Sequence, residues 1–473
     1  MQSERMRVAV IGGGISGLTA AFRLQQAGAE VDVFEAGARA GGLLGSERID
    51  GCVVETGADS ILTEKPWALA LAEDLGIGNA IIATRSQQRG AYVVHKGKLE
   101  RVPHGFSLLA PTDFAAFVRS PLLSRQGKLR AGLELLLPRG LGGEASDDES
   151  LESFVVRRFG RELFEQLAQP LAGGIYGADP ARLSLRATMP RFLELERRHG
   201  SVIRGMRARM RAGQPGEAQA SGARYGLFAA FAGGMQDLVD GLTRPLGTRV
   251  HTSRPVTSID RDEEGFHVIV RDESRCFDAV VMALPAHAAS RVVRPLSAPL
   301  ADLLGRIDYA SAATITLSWP RYAIPHPLDA FGFVVPTIEH RGIIASTWAS
   351  VKYAGRAPDG TALIRVFVGG HRGQHLVDHA DDELIAIARR ELSALIGVEA
   401  APTFTKVVRY VRAMPQYHLG HLERVGRIEQ AVHGIKGFAL AGNAYRGVGI
   451  PDAVKSGEEA ARKLIEATPR QRA

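Results

Sequence analysis

The clearest pattern of apolar and polar positions in this chain lies near its N-terminus. An unbroken apolar run from Val8 to Ile11 predicts a buried parallel strand. Glycines follow at once, and a set of apolar residues then recurs at helical spacing: Ile15, Leu18, Ala21 and Phe22. A second apolar strand, Val31–Phe34, ends at Glu35. This order of strand, glycine turn, helix and strand predicts a β–α–β unit.

Later parts of the chain alternate in the way that is typical of strands. A hairpin is predicted over 88–99, with its turn at Lys96-Gly97. Further strands are predicted over 249–256, 266–270, 277–284, 314–319, 332–336, 343–347 and 363–368. A helix is predicted between Leu384 and Leu395, and a strand, a glycine loop and a helix over 438–457. Residues 204–224 contain few large apolar residues, so we expect a mobile loop or a frayed helix there.

The segment 103–139 combines two kinds of side chain. Large apolar residues alternate there with four basic residues, namely Arg119, Arg125, Lys128 and Arg130. Basic amphipathic helices of this kind lie in the headgroup interface of membranes. The same pattern is also typical of an ordinary helical subdomain with a solvated basic face. The pattern by itself leaves both interpretations open.

Composition places the chain among globular proteins of several domains. It has 473 residues, 45% of them hydrophobic and 23% charged, and this length predicts roughly two to four domains. The net charge of +7 admits an anionic substrate, an acidic membrane surface or nucleic acid, and the scattered Lys and Arg disfavour nucleic acid. Cys52 and Cys276 lie far apart without metal-ligand spacing, so we expect neither a disulfide framework nor a metal site. We recognise no secretory signal and no apolar stretch of bilayer length, and we expect a cytoplasmic protein.

The glycines after the first strand have the spacing of a dinucleotide-binding turn. Gly12, Gly14 and Gly17 stand in G-x-G-x-x-G register between a strand and a helix. The first permits a tight turn, the second lets the backbone approach a pyrophosphate, and the third permits close packing of strand and helix. Glu35, at the end of the second strand, is placed to accept from a ribose hydroxyl. The sequence therefore predicts a bound dinucleotide.

The residues after Glu35 favour FAD over NAD. Arg39, Gly41 and Gly42 follow in the pattern E-x3-R-x-G-G, which resembles the flavoprotein amine-oxidase superfamily. In that superfamily this loop runs along the pyrophosphate toward the flavin ring. The loop 441–449 and the helix that follows it mirror the opening motif, so we expect a second helix N-terminus to point at the cofactor.

Six motifs together make the chain similar to the oxygen-dependent, FAD-containing protoporphyrinogen oxidase family, and the resemblance runs from Met6 to the last helix. They are G-G-G-I-S-G-L (12–18), R-x-G-G (39–42), G-I-Y-G-A-D-P-x-x-L-S (174–184), F-G-F-V-V-P (331–336), M-P-Q-Y-H-L-G-H (414–421) and A-G-N-A-Y-R-G-V-G-I-P-D (441–452). The first two occur throughout the superfamily, whereas the three in the middle are much more specific.

The resemblance implies an α/β protein with α+β elements, built from three parts. A Rossmann-like FAD-binding domain is expected from the discontinuous segments 1–88, 225–298 and 420–473. A mixed-sheet substrate domain is expected from 89–102 and 299–419. A helical membrane-associated domain is expected over 103–224, which favours the membrane interpretation of the basic amphipathic segment.

The implied reaction is the six-electron oxidation of protoporphyrinogen IX to protoporphyrin IX, the penultimate step of haem biosynthesis. Oxygen reoxidises the non-covalently bound FAD and yields hydrogen peroxide. The flavin N5 is the expected hydride acceptor, so positioning and exclusion of water carry the chemistry, and we assign no catalytic side chain and no metal. The expected partners are the tetrapyrrole, oxygen, the cytoplasmic face of a membrane and a second copy of the chain.

The resemblance also assigns site residues. Arg89 matches the family's propionate-binding arginine, and guanidinium–carboxylate pairs are often bidentate. Phe331, Val334, Thr347 and Phe367 match positions that contact the tetrapyrrole ring. The expected cofactor-binding residues are Gly12, Gly14, Ile15, Ser16, Gly17, Glu35, Ala36, Arg39, Gly41, Gly42, Gly57, Ala58, Asp59, Ser60, Val256, Gly442, Asn443, Gly449 and Ile450. His418 and His421 receive no role.

Three other functions compete with this interpretation. Oxidation of coproporphyrinogen III to coproporphyrin III needs a wetter pocket with more cations, because that substrate carries four propionates. The sequence offers one arginine suited to a propionate and apolar residues for the pocket lining, which modestly favours protoporphyrinogen. A generic FAD amine oxidase is disfavoured because no Cys lies near the C-terminal loop and the specific motifs belong elsewhere in the superfamily. A catalytically silent FAD-binding protein is disfavoured by the intact flavin motifs at both ends.

Overall fold

The computed structural model describes residues 5–138, 148–211 and 228–467. Its strands are β1 Arg7–Ile11, β2 Glu30–Phe34, β3 Ser46–Ile49, β4 Cys52–Glu55, β5 Ile61–Leu62, β6 Ile81–Ala83, β7 Tyr92–His95, β8 Lys98–Arg101, β9 Phe106–Ser107, β10 Ala110–Pro111, β11 Phe228–Phe231, β12 Val250–His251, β13 Val256–Arg261, β14 Phe266–Val270, β15 Glu273–Phe277, β16 Ala279–Met282, β17 Tyr309–Pro320, β18 Gly332–Val334, β19 Ala345–Trp348, β20 Thr361–Gly369, β21 Phe404–Pro415 and β22 Phe438–Leu440.

Its helices are α1 Ile15–Gln26, α2 Trp67–Asp74, α3 Phe114–Arg119, α4 Arg125–Gly132, α5 Leu151–Phe159, α6 Arg161–Leu163, α7 Gln169–Tyr176, α8 Leu185–Thr188, α9 Pro190–His199, α10 Val202–Arg211, α11 Gln236–Leu246, α12 Ala286–Val292, α13 Ala298–Gly305, α14 Ala349–Lys352, α15 Gly370–Gly373, α16 Asp381–Ile396, α17 His421–His433 and α18 Ile450–Ala467. A π-helical turn, Phe164–Ala168, joins α6 to α7. Of the expected loop or frayed helix, 204–211 belong to α10, and the remainder lies outside the described residues.

A five-stranded parallel sheet takes its strands from distant parts of the chain. Its order is β12-β2-β1-β16-β22, and every neighbouring pair is parallel. Val8 and Val10 of β1 face a core shared with α1, α11 and α18, whereas Ala9 and Ile11 face a second core with α12, α13 and α17. Both faces are covered, which explains why β1 is an unbroken apolar run. The Rossmann-like unit from discontinuous segments is confirmed.

A seven-stranded mixed sheet, called the substrate sheet below, has the order β21-β17-β20-β19-β18-β7-β8. Only the pair β7/β18 is parallel. Residues of alternating strand positions, such as Ile364 and Val366, pack in a core with α16. The opposite face carries Arg365 and Phe367 of β20, and strand alternation sends these away from α16. The predicted hairpin is β7–β8.

Helices α3 to α10 share a separate core that contains Phe154, Phe159 and Phe192. Arg158 is fully buried in this core and pairs with Glu134 and Glu196. A charge is tolerated at such a site only when it is paired and hydrogen-bonded throughout. The amphipathic segment 103–139 is not helical throughout, because Phe106–Ser107 and Ala110–Pro111 form a short hairpin before α3 begins.

The strands of each large sheet come from the segments predicted for the corresponding domain. Every strand of the parallel sheet lies within 1–88, 225–298 or 420–473, and every strand of the substrate sheet lies within 89–102 or 299–419. The domain boundaries themselves stay a prediction. Among the residues that the structure describes, none of the helices combines the length and apolar character that crossing a bilayer requires.

Candidate active site

In the N-terminal glycine turn, two of the three motif glycines have no room for a side chain. Gly12 has a φ of +108°, and a Cβ there would lie 2.8 Å from the carbonyl oxygen of Ala283. A Cβ on Gly17 would overlap the carbonyl oxygen of Gly12, so helix and strand pack backbone against backbone. A Cβ on Gly14, in contrast, would meet nothing within 4 Å. The turn therefore leaves open space at the one position expected to approach a pyrophosphate.

Glu35 is anchored beside this turn. One carboxylate oxygen accepts from the backbone N–H of Gly13 (2.8 Å) and the other from that of Gly37 (2.7 Å). The chain that precedes Val256 flanks the same segment, since the backbone N–H of Arg254 donates to the backbone carbonyl of Glu35 at 2.8 Å. Ala36 is exposed. Each carboxylate oxygen keeps a lone pair for a further donor.

The loop after Glu35 folds back over the glycine turn. Gly41 donates to the carbonyl of Gly13 (2.8 Å), and a Cβ on Gly42 would lie 3.1 Å from the Cα of Gly14. The Arg39 guanidinium donates to the carbonyls of Leu44 (2.7 Å) and Gly42 (3.1 Å), so its charge organises the loop. The structure thus brings together the two motifs that the sequence assigned to one cofactor.

The N-terminal turns of α1 and α18 touch each other. Ser16 in the first turn of α1 donates its hydroxyl to the carbonyl of Ala453 in the first turn of α18, at 2.8 Å. A Cβ on Gly457 would overlap the carbonyl oxygen of Ser16, which shows how closely the helices pack. Ile15 and Ile450 are the first residues of these two helices. Two positive dipole ends therefore meet in one place.

The C-terminal glycine loop, 441–449, is held by side chains from elsewhere. The Tyr417 hydroxyl donates to the carbonyl of Asn443 (2.7 Å), and Ser456 accepts from the N–H of Gly442 (3.0 Å). His421 stacks on Tyr417 with ring centroids 3.9 Å apart, and its Nε2 hydrogen-bonds the carbonyl of Tyr445 at 2.9 Å.

Burial is the main cause that lowers the pKa of His421 to about 4. The ring is therefore neutral at physiological pH, which suits a fully buried side chain. His421 and Tyr417 come from the motif 414–421, whose histidines carried no role in the sequence. His421 and Tyr417 hydrogen-bond to backbone carbonyls, which have no signature in a sequence. His418 instead contacts the Asp308 carboxylate at 3.1 Å.

The turn Gly57–Ser60 lies against the loop after Glu35. A Cβ on Gly57 would overlap the carbonyl oxygen of Leu43, whereas Ala58 is exposed. Asp59 pairs with Lys352 at 3.2 Å, and Ser60 donates to Asp59 at 2.6 Å. Burial alone would raise the pKa of the Asp59 carboxyl, but the charges of Lys352 and Arg365 hold it well below its usual range. Asp59 is therefore a permanent carboxylate.

The expected substrate residues share one region of the substrate sheet. Val334 pairs with Ala345, which pairs with Phe367 on the next strand, and these positions form one row across the sheet. Thr347 occupies the next row on the same face of the sheet, where its register partner is Arg365. Phe331 is fully buried just before β18, and its N–H donates to the carbonyl of Gly90, beside Arg89.

Arg89 is half-buried in the connection that leads into β7. Within the described part of the chain, its buried Nε has no hydrogen-bond partner. A buried guanidinium nitrogen without a partner is costly, so an anionic ligand would complete the site.

Two cations of this region, Lys352 and Arg365, were missed by sequence reasoning. Each is only 5% exposed. Lys352 lies in the stretch W-A-S-V-K-Y, and the one available signal is a charge inside an otherwise apolar run. Its partner Asp59 is 293 positions away, so no local pattern reveals the pair.

A comparison with protein families decides the identity of the fold. The family described as flavin containing amine oxidoreductase matches residues 15–465. The chain belongs to this family. As a flavin containing amine oxidoreductase it uses FAD, and it is an FAD-dependent oxidase.

The residues of this flavin containing amine oxidoreductase fit FAD. Within the described residues, the N-cap position of α1 is Gly14 and no side-chain cap bonds to the first N–H groups, which suits a phosphate there. The open space at Gly14 lies beside them, and Glu35 is fixed next to the same turn. Both requirements of a dinucleotide, an anion site and a hydroxyl acceptor, are therefore met by backbone and carboxylate groups.

Relatives of this flavin containing amine oxidoreductase match it over almost its full length. A coproporphyrinogen III oxidase of Staphylococcus aureus is 34% identical over 466 residues, which cover 97% of this chain and 98% of the relative. A mitochondrial protoporphyrinogen oxidase of Nicotiana tabacum is 30% identical over 490 residues, covering 98% of this chain and 95% of the relative. A crystal structure from Exiguobacterium sp. 255-15, provisionally named protoporphyrinogen oxidase, superposes with a TM-score of 0.87 at 27% identity, covering 99% and 100% of the two chains.

Proposed function

We propose that the protein oxidises a porphyrinogen to the corresponding porphyrin with oxygen as the final acceptor. The observation that carries this proposal is the near full-length similarity to porphyrinogen oxidases of two kinds. The half-buried Arg89, near a sheet face that carries Val334 and Phe367, supports it, because a porphyrinogen is a broad apolar ring that carries carboxylates.

In this proposal, the turn Gly12–Gly17 and the first N–H groups of α1 hold the pyrophosphate of FAD, and Glu35 accepts from its ribose. Arg39 keeps the loop with Gly41 and Gly42 closed over the same turn. The remaining contacts come from Ala36, Val256, the turn Gly57–Ser60 and the loop that includes Gly442, Asn443 and Gly449. FAD supplies a two-electron acceptor for the hydride that leaves the substrate.

The chain's own task in the reaction is to place a meso carbon of the substrate and to exclude water. Arg89 binds a propionate, and Phe331, Val334, Thr347 and Phe367 form the apolar contact for the ring. Asp59, held as a carboxylate, is a poor proton acceptor at physiological pH because its pKa lies far below that pH. The proposal therefore assigns no general base.

Among substrates, we place coproporphyrinogen III first and protoporphyrinogen IX second. The identity of 34% to a coproporphyrinogen III oxidase against 30% to a protoporphyrinogen oxidase supports this order. It reverses the order that the apolar walls and the single arginine favoured in the sequence.

One assay tests both choices. Purified holoenzyme is mixed under air with each porphyrinogen, and porphyrin fluorescence and peroxide are followed. Faster turnover of coproporphyrinogen supports the proposed order, and faster turnover of protoporphyrinogen reverses it. Absence of turnover with either substrate would leave a flavin amine oxidase or a silent FAD-binding protein.

Arg89 offers a test of substrate contact. Arg89→Ala removes a charge-assisted pair with a propionate, so KM should rise about ten-fold or more while kcat changes little. Arg85→Ala is the control, since Arg85 is an exposed arginine four positions upstream. An unchanged KM in Arg89→Ala removes this residue from the substrate site.

We also propose that the helical segment binds a membrane surface peripherally. Leu129, Leu133 and Leu136 are 69%, 42% and 76% exposed, and their spacing places them on one side of α4 and the 3₁₀ turn Leu133–Leu135. Exposed apolar side chains beside basic ones suit an anionic headgroup interface. The expected location is the cytoplasmic face of a membrane, and a homodimer stays a prediction.

The membrane proposal predicts that Leu129→Asp/Leu136→Asp reduces co-sedimentation with vesicles that contain anionic lipid. Val411→Asp is the matched control, because Val411 is 63% exposed on the substrate sheet. Equal co-sedimentation of the double variant and the wild type would contradict the proposal.

A further inference from the structure

One end of the turn Gly57–Ser60 is held by residues that follow β19 of the substrate sheet. Lys352 donates to the Ser60 hydroxyl at 2.7 Å and to the Asp59 carboxylate at 3.2 Å. Tyr353, which is almost fully buried, donates its hydroxyl to the same Ser60 oxygen at 2.8 Å. Two polar side chains from the substrate sheet region therefore converge on the last two residues of the turn.

The residue before this turn is held by the edge strand β21 of the same sheet. Tyr410 of β21 donates its hydroxyl to the carbonyl of Thr56 at 2.7 Å. Arg365 of β20 donates to the Tyr410 oxygen at 2.9 Å, and its guanidinium carbon lies 5.1 Å from the centre of the Phe367 ring. Both ends of the turn are thus tied to the substrate sheet, and neither tie is local in sequence.

These ties leave an excess of positive charge beside the turn. Within the described part of the chain, Lys352 and Arg365 are cations and Asp59 is the carboxylate that faces both. The adjacent Arg356 and Glu55 form a pair at 3.2 Å, so they add no further excess. Within the described residues, the buried Nε of Arg365 has no hydrogen-bond partner. A buried cation without a full set of partners is stabilised by negative charge nearby.

We infer that Lys352 and Tyr410 are positioning residues for the flavin, and that Arg365 supports Tyr410 through a hydrogen bond. Together they fix the turn Gly57–Ser60 from the substrate sheet, and the two cations give the turn a net positive charge. The inference rests on the proposed contact between this turn and the flavin. Charge near the ring tunes a flavin's electronics, and a positive excess favours its anionic reduced form. Since Arg365 shares a row with Thr347 and contacts Phe367, the same sheet places both substrate and cofactor turn.

The first test is Lys352→Met, which keeps much of the side chain's length but removes its charge. We expect about ten-fold weaker FAD binding to the apoprotein and a lower midpoint potential of the bound flavin. Lys352→Arg should restore the potential, which a purely space-filling role of this residue would not explain. Lys406→Met is the control, because Lys406 lies on β21 and pairs instead with Glu47 at 2.7 Å.

Tyr410→Phe provides a milder second test that removes one hydroxyl and no charge. It should weaken FAD binding while leaving the midpoint potential close to that of the wild type. An unchanged FAD affinity in Tyr410→Phe overturns the inference, even if Lys352→Met does not fold. A wild-type potential in folded Lys352→Met overturns the electrostatic part.

Both measurements are made on FAD alone, without porphyrinogen. Failure of the wild type to oxidise either porphyrinogen would therefore contradict the proposed function and leave the inference about the turn unaffected. Conversely, normal turnover together with unchanged flavin properties in the variants would defeat only the inference.

Discussion

The two glycine loops that we propose as contacts of FAD are held in place in opposite ways. The N-terminal turn is fixed by close packing and by its immediate neighbours: Gly12 and Gly13 donate their N–H groups to the end of β2 and to the Glu35 carboxylate, and Gly17 leaves no room for a Cβ. The C-terminal loop is fixed by the side chains of Tyr417, His421 and Ser456, which lie outside it. Replacing Gly12 or Gly17 in the first forces atoms to overlap. Replacing Tyr417 or Ser456 beside the second removes a single hydrogen bond.

The largest effect is expected at Gly17. Gly17→Ala places a methyl group on the carbonyl oxygen of Gly12, so the free energy of unfolding should fall by at least about 3 kcal/mol. Gly14→Ala has no atom within 4 Å and should change apoprotein stability by less than about 1 kcal/mol, yet block FAD. Denaturant unfolding of the apoproteins and titration with FAD measure both. Equal unfolding free energies in the two variants would show that lack of space at Gly17 does not fix the N-terminal turn.

A smaller change in the free energy of unfolding is expected from pH, and it arises from His421 beside the C-terminal loop. His421 has the ordinary histidine pKa of 6.5 in the unfolded chain, whereas burial lowers its pKa to about 4 in the folded protein. The unfolded state therefore binds more protons between these values, and stability is lost as the pH falls below 6.5. The loss attributable to His421 is about 2 kcal/mol by about pH 5.

Denaturant unfolding of the wild type and of His421→Gln across this pH range isolates that contribution. The variant should lack it, because glutamine keeps a hydrogen-bond donor and does not titrate. Parallel pH profiles of the two proteins would show that His421 is not the group responsible.

The smallest effect is expected for Tyr417→Phe, which removes the hydroxyl that donates to the half-buried carbonyl of Asn443. Loss of one such bond costs about 1 kcal/mol, so FAD should bind about five-fold more weakly. Tyr322→Phe serves as the control, because Tyr322 is 90% exposed. A collapse of the fold in Tyr417→Phe would mean that the C-terminal loop is as intolerant as the N-terminal turn.

Periodicity and glycine spacing were sufficient for much of the fold. The β–α–β unit, the hairpin β7–β8 and the main strands of the substrate sheet all follow from local alternation. The strands β13 and β15 were not predicted, because they are half-exposed and rich in charged residues. The hairpin at 106–111 was hidden in a segment whose apolar and basic residues favoured helix throughout.

The residues of the candidate site also fall into those that a local pattern predicts and those that it does not. Gly12, Gly14, Gly17 and Glu35 form one contiguous pattern, and their chemistry depends on backbone geometry that the pattern itself specifies. Lys352 has no motif of its own, and its role depends on a carboxylate in a distant segment. Sequence alone cannot find such a pair, since either residue is unremarkable without the other.

From the sequence alone, one can predict that a dinucleotide binds where a buried strand meets a helix N-terminus. Glycine spacing specifies this, because the absence of a side chain is a local property with a fixed steric consequence. The distant side chains that hold the proposed cofactor turns, namely Tyr417 at one and Lys352 at another, become visible in the fold. Hydrogen bonds and ion pairs act over a few ångströms in space, and the fold alone brings such residues within that distance.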